Sequence, residues 1–174
     1  MQNRIPIFKV ATIGEGGVGK TSIVVRYTED KFDEDMRMTI GVNFATKKLL
    51  VRGEPLKLTI WDLGGQPRFY DVVGDYFNGT KFAIAVYDAN RRYTLDRLDD
   101  WISRLREASP EADILIVGNK IDVRDDGSGV PIEEGRSFAS KYGADCIEVS
   151  AKTGENIDEL FRTVARNLHT EHMQ

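Results

Sequence analysis

The residues Gly14-Glu15-Gly16-Gly17-Val18-Gly19-Lys20-Thr21 fit the pattern G-x-x-x-x-G-K-[ST], with an apolar run before them and a helix-like run from Ser22 after them. Glycines at these positions let the main chain curl so that successive N–H groups point inward and form an anion nest at the positive end of a helix. Lys20 would then reach the β- and γ-phosphates of a bound nucleotide. The Thr21 hydroxyl would take one position on a Mg²⁺ that also binds phosphate oxygens. A plain glycine turn between strand and helix is the alternative, and Lys20 and Thr21 in register speak against it. This loop implies a nucleoside triphosphate without saying which one.

Three later clusters each follow the end of an apolar run. Asp62 has the place of a Walker-B-type carboxylate for magnesium, with a helix-capping aspartate as the alternative. Gly64 and Gly65 would let a main-chain N–H approach a γ-phosphate, and the Gln66 amide could orient an attacking water. In Asn119-Lys120-Ile121-Asp122, the Asp122 carboxylate can accept two N–H bonds side by side. Guanine offers that pair on its N1 and exocyclic amino edge, and adenine does not. Asn119 would tie the loops together, the Lys120 stem would lie along the base ring, and Ser150-Ala151-Lys152 could set the Ala151 N–H against the guanine O6.

Such loops need a frame that brings them to one edge. Strand-like runs alternate with amphipathic segments along the whole chain, which predicts an α/β fold: a three-layer P-loop arrangement of a six-stranded, mainly parallel sheet with five helices. The predicted strands are Ile7–Ile13, Val42–Val51, Leu56–Asp62, Phe82–Asp88, Ile114–Gly118 and Cys146–Val149. The predicted helices are Lys20–Thr28, Pro67–Phe77, Leu95–Ala108 with Thr94 as N-cap, one opened by Pro131 and running to about Tyr142, and Asn156–Leu168. Only Arg52-Gly53-Glu54-Pro55 separates the second and third strands, so one edge strand should run antiparallel.

Composition narrows the setting. The 174 residues suit one domain, with 41% hydrophobic residues, scattered basic residues and a net charge of −4, which argues against a nucleic-acid-binding face. One cysteine, Cys146, excludes an internal disulfide, and no apolar run approaches the roughly 20 residues of a membrane span. A cytoplasmic, monomeric single domain over residues 1–174 is the expectation. The tail carries no terminal cysteines for a lipid anchor, and His169 and His172 read as solvated residues of a fraying end.

Along essentially its whole length the chain resembles a small GTPase of the Ras superfamily. Thr39-Ile40-Gly41-Val42-Asn43-Phe44 and Ser150-Ala151-Lys152-Thr153-Gly154-Glu155-Asn156 resemble the Rab branch, and Trp61-Asp62-Leu63-Gly64-Gly65-Gln66 is closer to the Arf branch. The resemblance implies GTP and GDP as ligands with Mg²⁺ on Thr21, Thr39 and Asp62. Nucleotide contacts would come from Gly16, Gly17, Val18, Gly19, Lys20, Thr21, Ser22, Phe32, Thr39, Gly65, Asn119, Lys120, Asp122, Ser150, Ala151 and Lys152. Gln66, Lys20 and Gly16 would serve hydrolysis. Residues 30–39 and 63–76 would be the switches that meet effectors, an exchange factor and a GTPase-activating protein, with any membrane reached through a partner.

Three residues depart from the family pattern: Met36 in place of a tyrosine that closes over the phosphates, Pro67 after the glutamine, and Arg37 close to Thr39. Met36 and Pro67 keep open a second reading, a nucleotide-binding interaction module with negligible turnover; Arg37 could meet transition-state charge in cis, with a solvated loop arginine as the alternative. A metabolite kinase is disfavoured by Asp122 and by the lack of an arginine-rich lid.

Overall fold

The computed structural model describes residues 4–34, 42–63, 73–125 and 127–174. Within them lie the strands β1 (Ile7–Ile13), β2 (Val42–Val51), β3 (Glu54–Leu63), β4 (Thr80–Asp88), β5 (Asp113–Asn119) and β6 (Asp145–Glu148). They form one sheet in the order β2-β3-β1-β4-β5-β6. Only the β2–β3 pair is antiparallel among them. Its loop is tighter than the predicted four residues: Val51 pairs with Glu54, leaving Arg52 (φ 51°) and Gly53 (φ 79°), both left-handed, as a two-residue turn. Pro55, which has no N–H to give, fits in β3 because pairing with β1 starts only at Lys57.

The helices are α1 (Lys20–Glu29), α2 (Val73–Phe77), α3 (Arg92–Asp96), α4 (Leu98–Ala108), α5 (Ile132–Ser140) and α6 (Ile157–His172). α3 and α4 are two halves of the single helix expected at Leu95–Ala108, broken at Arg97, whose own backbone stays helical (φ −67°, ψ −16°). Thr94 is therefore no N-cap. It sits inside α3, where its hydroxyl accepts from the Asp88 N–H (2.9 Å) and donates to the Arg91 carbonyl (2.7 Å), so the helix starts three residues early against the end of β4. Pro131 is extended (φ −70°, ψ 155°) and precedes α5 as its N-cap residue. Of the helix expected over Pro67–Phe77, only Val73–Phe77 falls within the described residues, and Phe77 is fully buried.

Strand alternation builds two cores, one on each face. Val10, Phe82, Ile84, Val86, Leu115 and Val117 join Ile23 of α1 and Leu160, Phe161 and Val164 of α6. The intervening Ala11, Ala83, Ala85, Tyr87, Ile114 and Ile116 face the cluster that holds Leu98, Trp101, Ile102 and Phe138. Both faces of β4 are covered, as expected of a central parallel strand. α6 runs one turn beyond its predicted end; the reading of His169 as solvated is overturned, while His172 is exposed as expected. His169 is buried with Nε2 3.4 Å from Glu54, and the His172 ring tilts against Phe8 at 5.5 Å.

Candidate nucleotide site

β1 feeds the loop 14–19 directly into α1, at the carboxyl edge where the strand order reverses around β1. Two glycines there are required by contact as well as by angle. A Cβ on Gly14 (φ 139°) would stand 2.3 Å from the Val86 carbonyl oxygen, and one on Gly19 (φ 97°) 2.2 Å from Asn119 Nδ2. Gly19 is also the N-cap of α1, so no side chain closes the helix start, and its leading N–H groups suit an anion. Val18 anchors the loop in the core, Gly16 is half-buried and Gly17 exposed. Ser22 lies in the first turn of α1.

Lys20 folds back over this loop, and its buried Nζ donates to the carbonyls of Gly14 and Glu15, each at 2.9 Å. Burial lowers its pKa to about 8, opposed by the nearby carboxylates of Asp62 and Glu15. Asp62, at the end of β3, is buried and accepts from the Thr12 hydroxyl (2.8 Å) and from the Thr21 hydroxyl. Burial pushes its carboxyl up, while the two hydroxyls and the Lys20 charge pull it down. A carboxylate and a hydroxyl thus meet from positions 41 apart in sequence, hard oxygen donors of the kind Mg²⁺ takes. Among the described residues no three His, Cys, Asp or Glu side chains gather as a metal cage.

Asn119 joins three loops, as expected: Nδ2 donates to the Val18 carbonyl (3.0 Å) and Oδ1 accepts the Ala151 N–H (3.1 Å), all three residues being buried. The Ala151 N–H, expected against a guanine O6, is therefore already bonded to Asn119. Such an N–H can serve two acceptors in a three-centre bond. Asp122 stands in a 3₁₀ turn (Ile121–Val123), exposed, with one carboxylate oxygen accepting the Ser150 hydroxyl at 2.7 Å. Lys120 is left-handed (φ 67°) and sends its ammonium across the phosphate loop to the Gly17 carbonyl at 2.6 Å. Lys152 pairs with Glu34 at 3.0 Å, and Phe32 packs, half-buried, against the first core. Thr39, Gly65 and Gln66 lie outside the described residues, as do Gly64, Met36, Arg37 and Pro67.

Several residues of the site carry no motif and were missed. Arg26 of α1 donates through Nε to the Ala151 carbonyl (2.8 Å) and through Nη2 to the Lys152 carbonyl (2.5 Å), clasping the last loop from behind. Glu15 accepts from Trp101 Nε1 at 3.0 Å and lies 3.4 Å from Arg97 Nε, which fastens the phosphate loop to α4. Asp88 ends β4 in a knot with Asn90, Arg91 and Lys120. The only sequence signal for Asp88 is a carboxylate closing an otherwise apolar strand.

Beside this edge the sheet face formed by β2 and β3 carries aromatic residues. Phe44 is 60% exposed and meets Trp61 edge-on at 4.6 Å, Trp61 faces Tyr76 at 6.2 Å, and Lys9 Nζ stands 3.7 Å over the Trp61 ring. Phe44 is thus the exposed member of an aromatic cluster whose other two rings are half-buried.

Comparison with known proteins bears on the same residues. The model of the Ras family matches residues 9–170. Ras-related protein Rab-18 of Lymnaea stagnalis is 39% identical over 169 residues, covering 96% of this chain and 83% of that protein. Ras-related protein Rab-31 of Mus musculus is 38% identical over 161 residues, covering 92% and 82%.

Proposed function

Because the chain belongs to the Ras family, it is a GTP-binding, GTP-hydrolysing molecular switch, and we propose that the loops described above carry its cycle. The observation that carries this assignment is the Asn119 bridge, which draws the phosphate loop and both base-side loops to one point. Gly16 to Ser22 cradle the phosphates, with Lys20 leaving its two carbonyls for the β- and γ-phosphates. Asp122 and the Ala151 N–H read the guanine, Lys120 and Phe32 flank it, and Ser150 and Lys152 hold the reading loop in place. Thr21, Asp62 and Thr39 hold Mg²⁺, which would supply charge neutralisation of the phosphate oxygens. Gln66 orients the attacking water in line with the γ-phosphate, and Gly16 leaves it room.

Loss of the γ-phosphate removes the ligand that Thr39 and Gly65 share, so residues 30–39 and 63–76 relax and partners feel the change as affinity. Ras-family switches engage effectors, exchange factors and activating proteins. We assign these contacts here to the two switches and to the Phe44–Trp61–Tyr76 strip between them, and the Rab-type relatives support work in membrane trafficking. Among the described residues no helix is long and apolar enough to cross a membrane, so we propose that a membrane is reached through a partner. The Arf-like look of Trp61–Gln66 is a second, local reading of the same switch. A module with negligible turnover is not favoured.

The decisive experiment is nucleotide selectivity of Asp122→Asn. An amide inverts half of the hydrogen-bond pattern offered to the base, so preference should pass from GTP to xanthosine triphosphate. Retained GTP affinity would defeat the site assignment. Single-turnover hydrolysis by Gln66→Leu should fall at least tenfold with GTP binding intact, and an unchanged rate would remove Gln66 from its role.

A further inference from the structure

β4 ends in a carboxylate that no motif explains. Asp88 is 3% exposed, and its Oδ1 accepts the Asn90 N–H at 2.8 Å and Asn90 Nδ2 at 3.1 Å. Its Oδ2 accepts from Arg91 Nε at 3.0 Å and lies 3.4 Å from Lys120 Nζ. One buried carboxylate therefore faces two cations that arrive from different loops. Burial acts to raise its pKa, yet the Asn90 N–H and the Arg91 and Lys120 cations together carry it below the usual carboxylate range, so it is charged at neutral pH.

Both cations lean on one glycine of the phosphate loop. Lys120 Nζ donates to the Gly17 carbonyl, and a Cβ built on Gly17 would stand 3.3 Å from Arg91 Nη2. Lys120 also holds a left-handed backbone, which a non-glycine residue keeps only where its surroundings determine it. Asn90 Nδ2 adds a bond to the Lys120 carbonyl at 3.1 Å, so the same knot grips both ends of the lysine.

We propose that Asp88 is a positioning residue that sets the residence time of the bound guanine nucleotide, by holding Lys120 and Arg91 against Gly17 of the phosphate loop. The proposal rests on the reading of Gly17 and Lys120 as nucleotide contacts. Release of the nucleotide requires the phosphate loop and the Lys120 loop to part. Asp88 opposes that parting through an ionic tie that runs from the second loop, through its lysine, onto the first. The tie joins the two loops that must part, so its effect is read in dissociation.

Asp88→Asn tests this, because it keeps the shape and an Oδ1 for Asn90 while turning an NH₂ group toward two cations. Release of fluorescent mant-GDP from the Mg²⁺-containing protein should become about tenfold faster, equivalent to roughly 1.4 kcal/mol. The Lys120 ammonium resonance in a ¹⁵N-labelled GDP complex should weaken or vanish as its proton exchange accelerates. A role in packing alone predicts parental release from this isosteric variant and an unmoved ammonium signal, and either result overturns the proposal. If Asp88→Asn does not fold, Arg91→Gln carries the test: release should rise about threefold, and a parental rate refutes the idea. Failure of the parent protein to retain GDP would instead refute the nucleotide site itself.

Discussion

Arg26→Met removes the guanidinium that clasps the guanine-side loop and keeps most of the aliphatic stem, so little cavity arises. Three contacts are lost. The bond to the Ala151 carbonyl is partly buried, and a hydrogen bond from a charged donor is worth about 1.5–3 kcal/mol. The bond to the Lys152 carbonyl is exposed and adds less than about 1 kcal/mol, and the exposed pair with Asp30 about 0.3–0.5 kcal/mol. Met keeps its packing, and water replaces the exposed partners, so the net loss should be roughly 2 kcal/mol. For a chain of this length that lowers the melting temperature by about 4–8 °C. Because the freed carbonyls belong to the loop that presents the Ala151 N–H, part of the loss should appear in binding. GDP release should quicken, by up to about thirtyfold if the whole 2 kcal/mol is expressed there. Calorimetry of the GDP complex together with stopped-flow release measures both. A variant with parental melting and parental release would show that the clasp contributes nothing, and the reasoning from charged hydrogen bonds would fail.

Other perturbations probe different joints. Gly19→Ala forces a side chain onto a left-handed backbone and into the Asn119 amide, so GDP affinity should drop more than a hundredfold on isothermal titration; unchanged affinity would refute the close approach. Burial, with Glu148 nearby, raises the Cys146 thiol to about 11 against its hydrogen bond with the Tyr87 hydroxyl. Since the thiolate is the nucleophile, alkylation at pH 7.5 should run on the order of a hundredfold slower than for an ordinary thiol and climb as pH approaches 11; rapid labelling at neutral pH would contradict it. Trp61→Ala should leave GDP binding within about twofold while a GTP-dependent partner is lost, because its half-buried ring packs on Phe44, Tyr76 and Lys9, three residues assigned no nucleotide contact.

Much of this molecule is legible in one dimension because its signals are local. The Gly14–Thr21 spacing, the continuous apolar run in Phe82–Asp88 and the short gap between β2 and β3 are properties of a few adjacent residues. Strand positions and the motif side chains follow from them. The break at Arg97 followed a different rule. The Thr94 hydroxyl looks like a helix cap by type, and the nearby end of β4 captured it, moving the helix start. The burial of His169 likewise depended on how far α6 remained packed against the sheet, which no local pattern records.

The chain order by itself determined which side chains we assign to phosphate, magnesium and guanine, since that chemistry resides in residue type and short spacing. Tertiary structure alone decided what braces them. Arg26 meets Ala151 across 125 positions, and Trp101 meets Glu15 across 86. A hydrogen bond depends on approach to about 3 Å in space and leaves no period or spacing along the chain, so these ties exist only once the sheet has brought its loops to one edge.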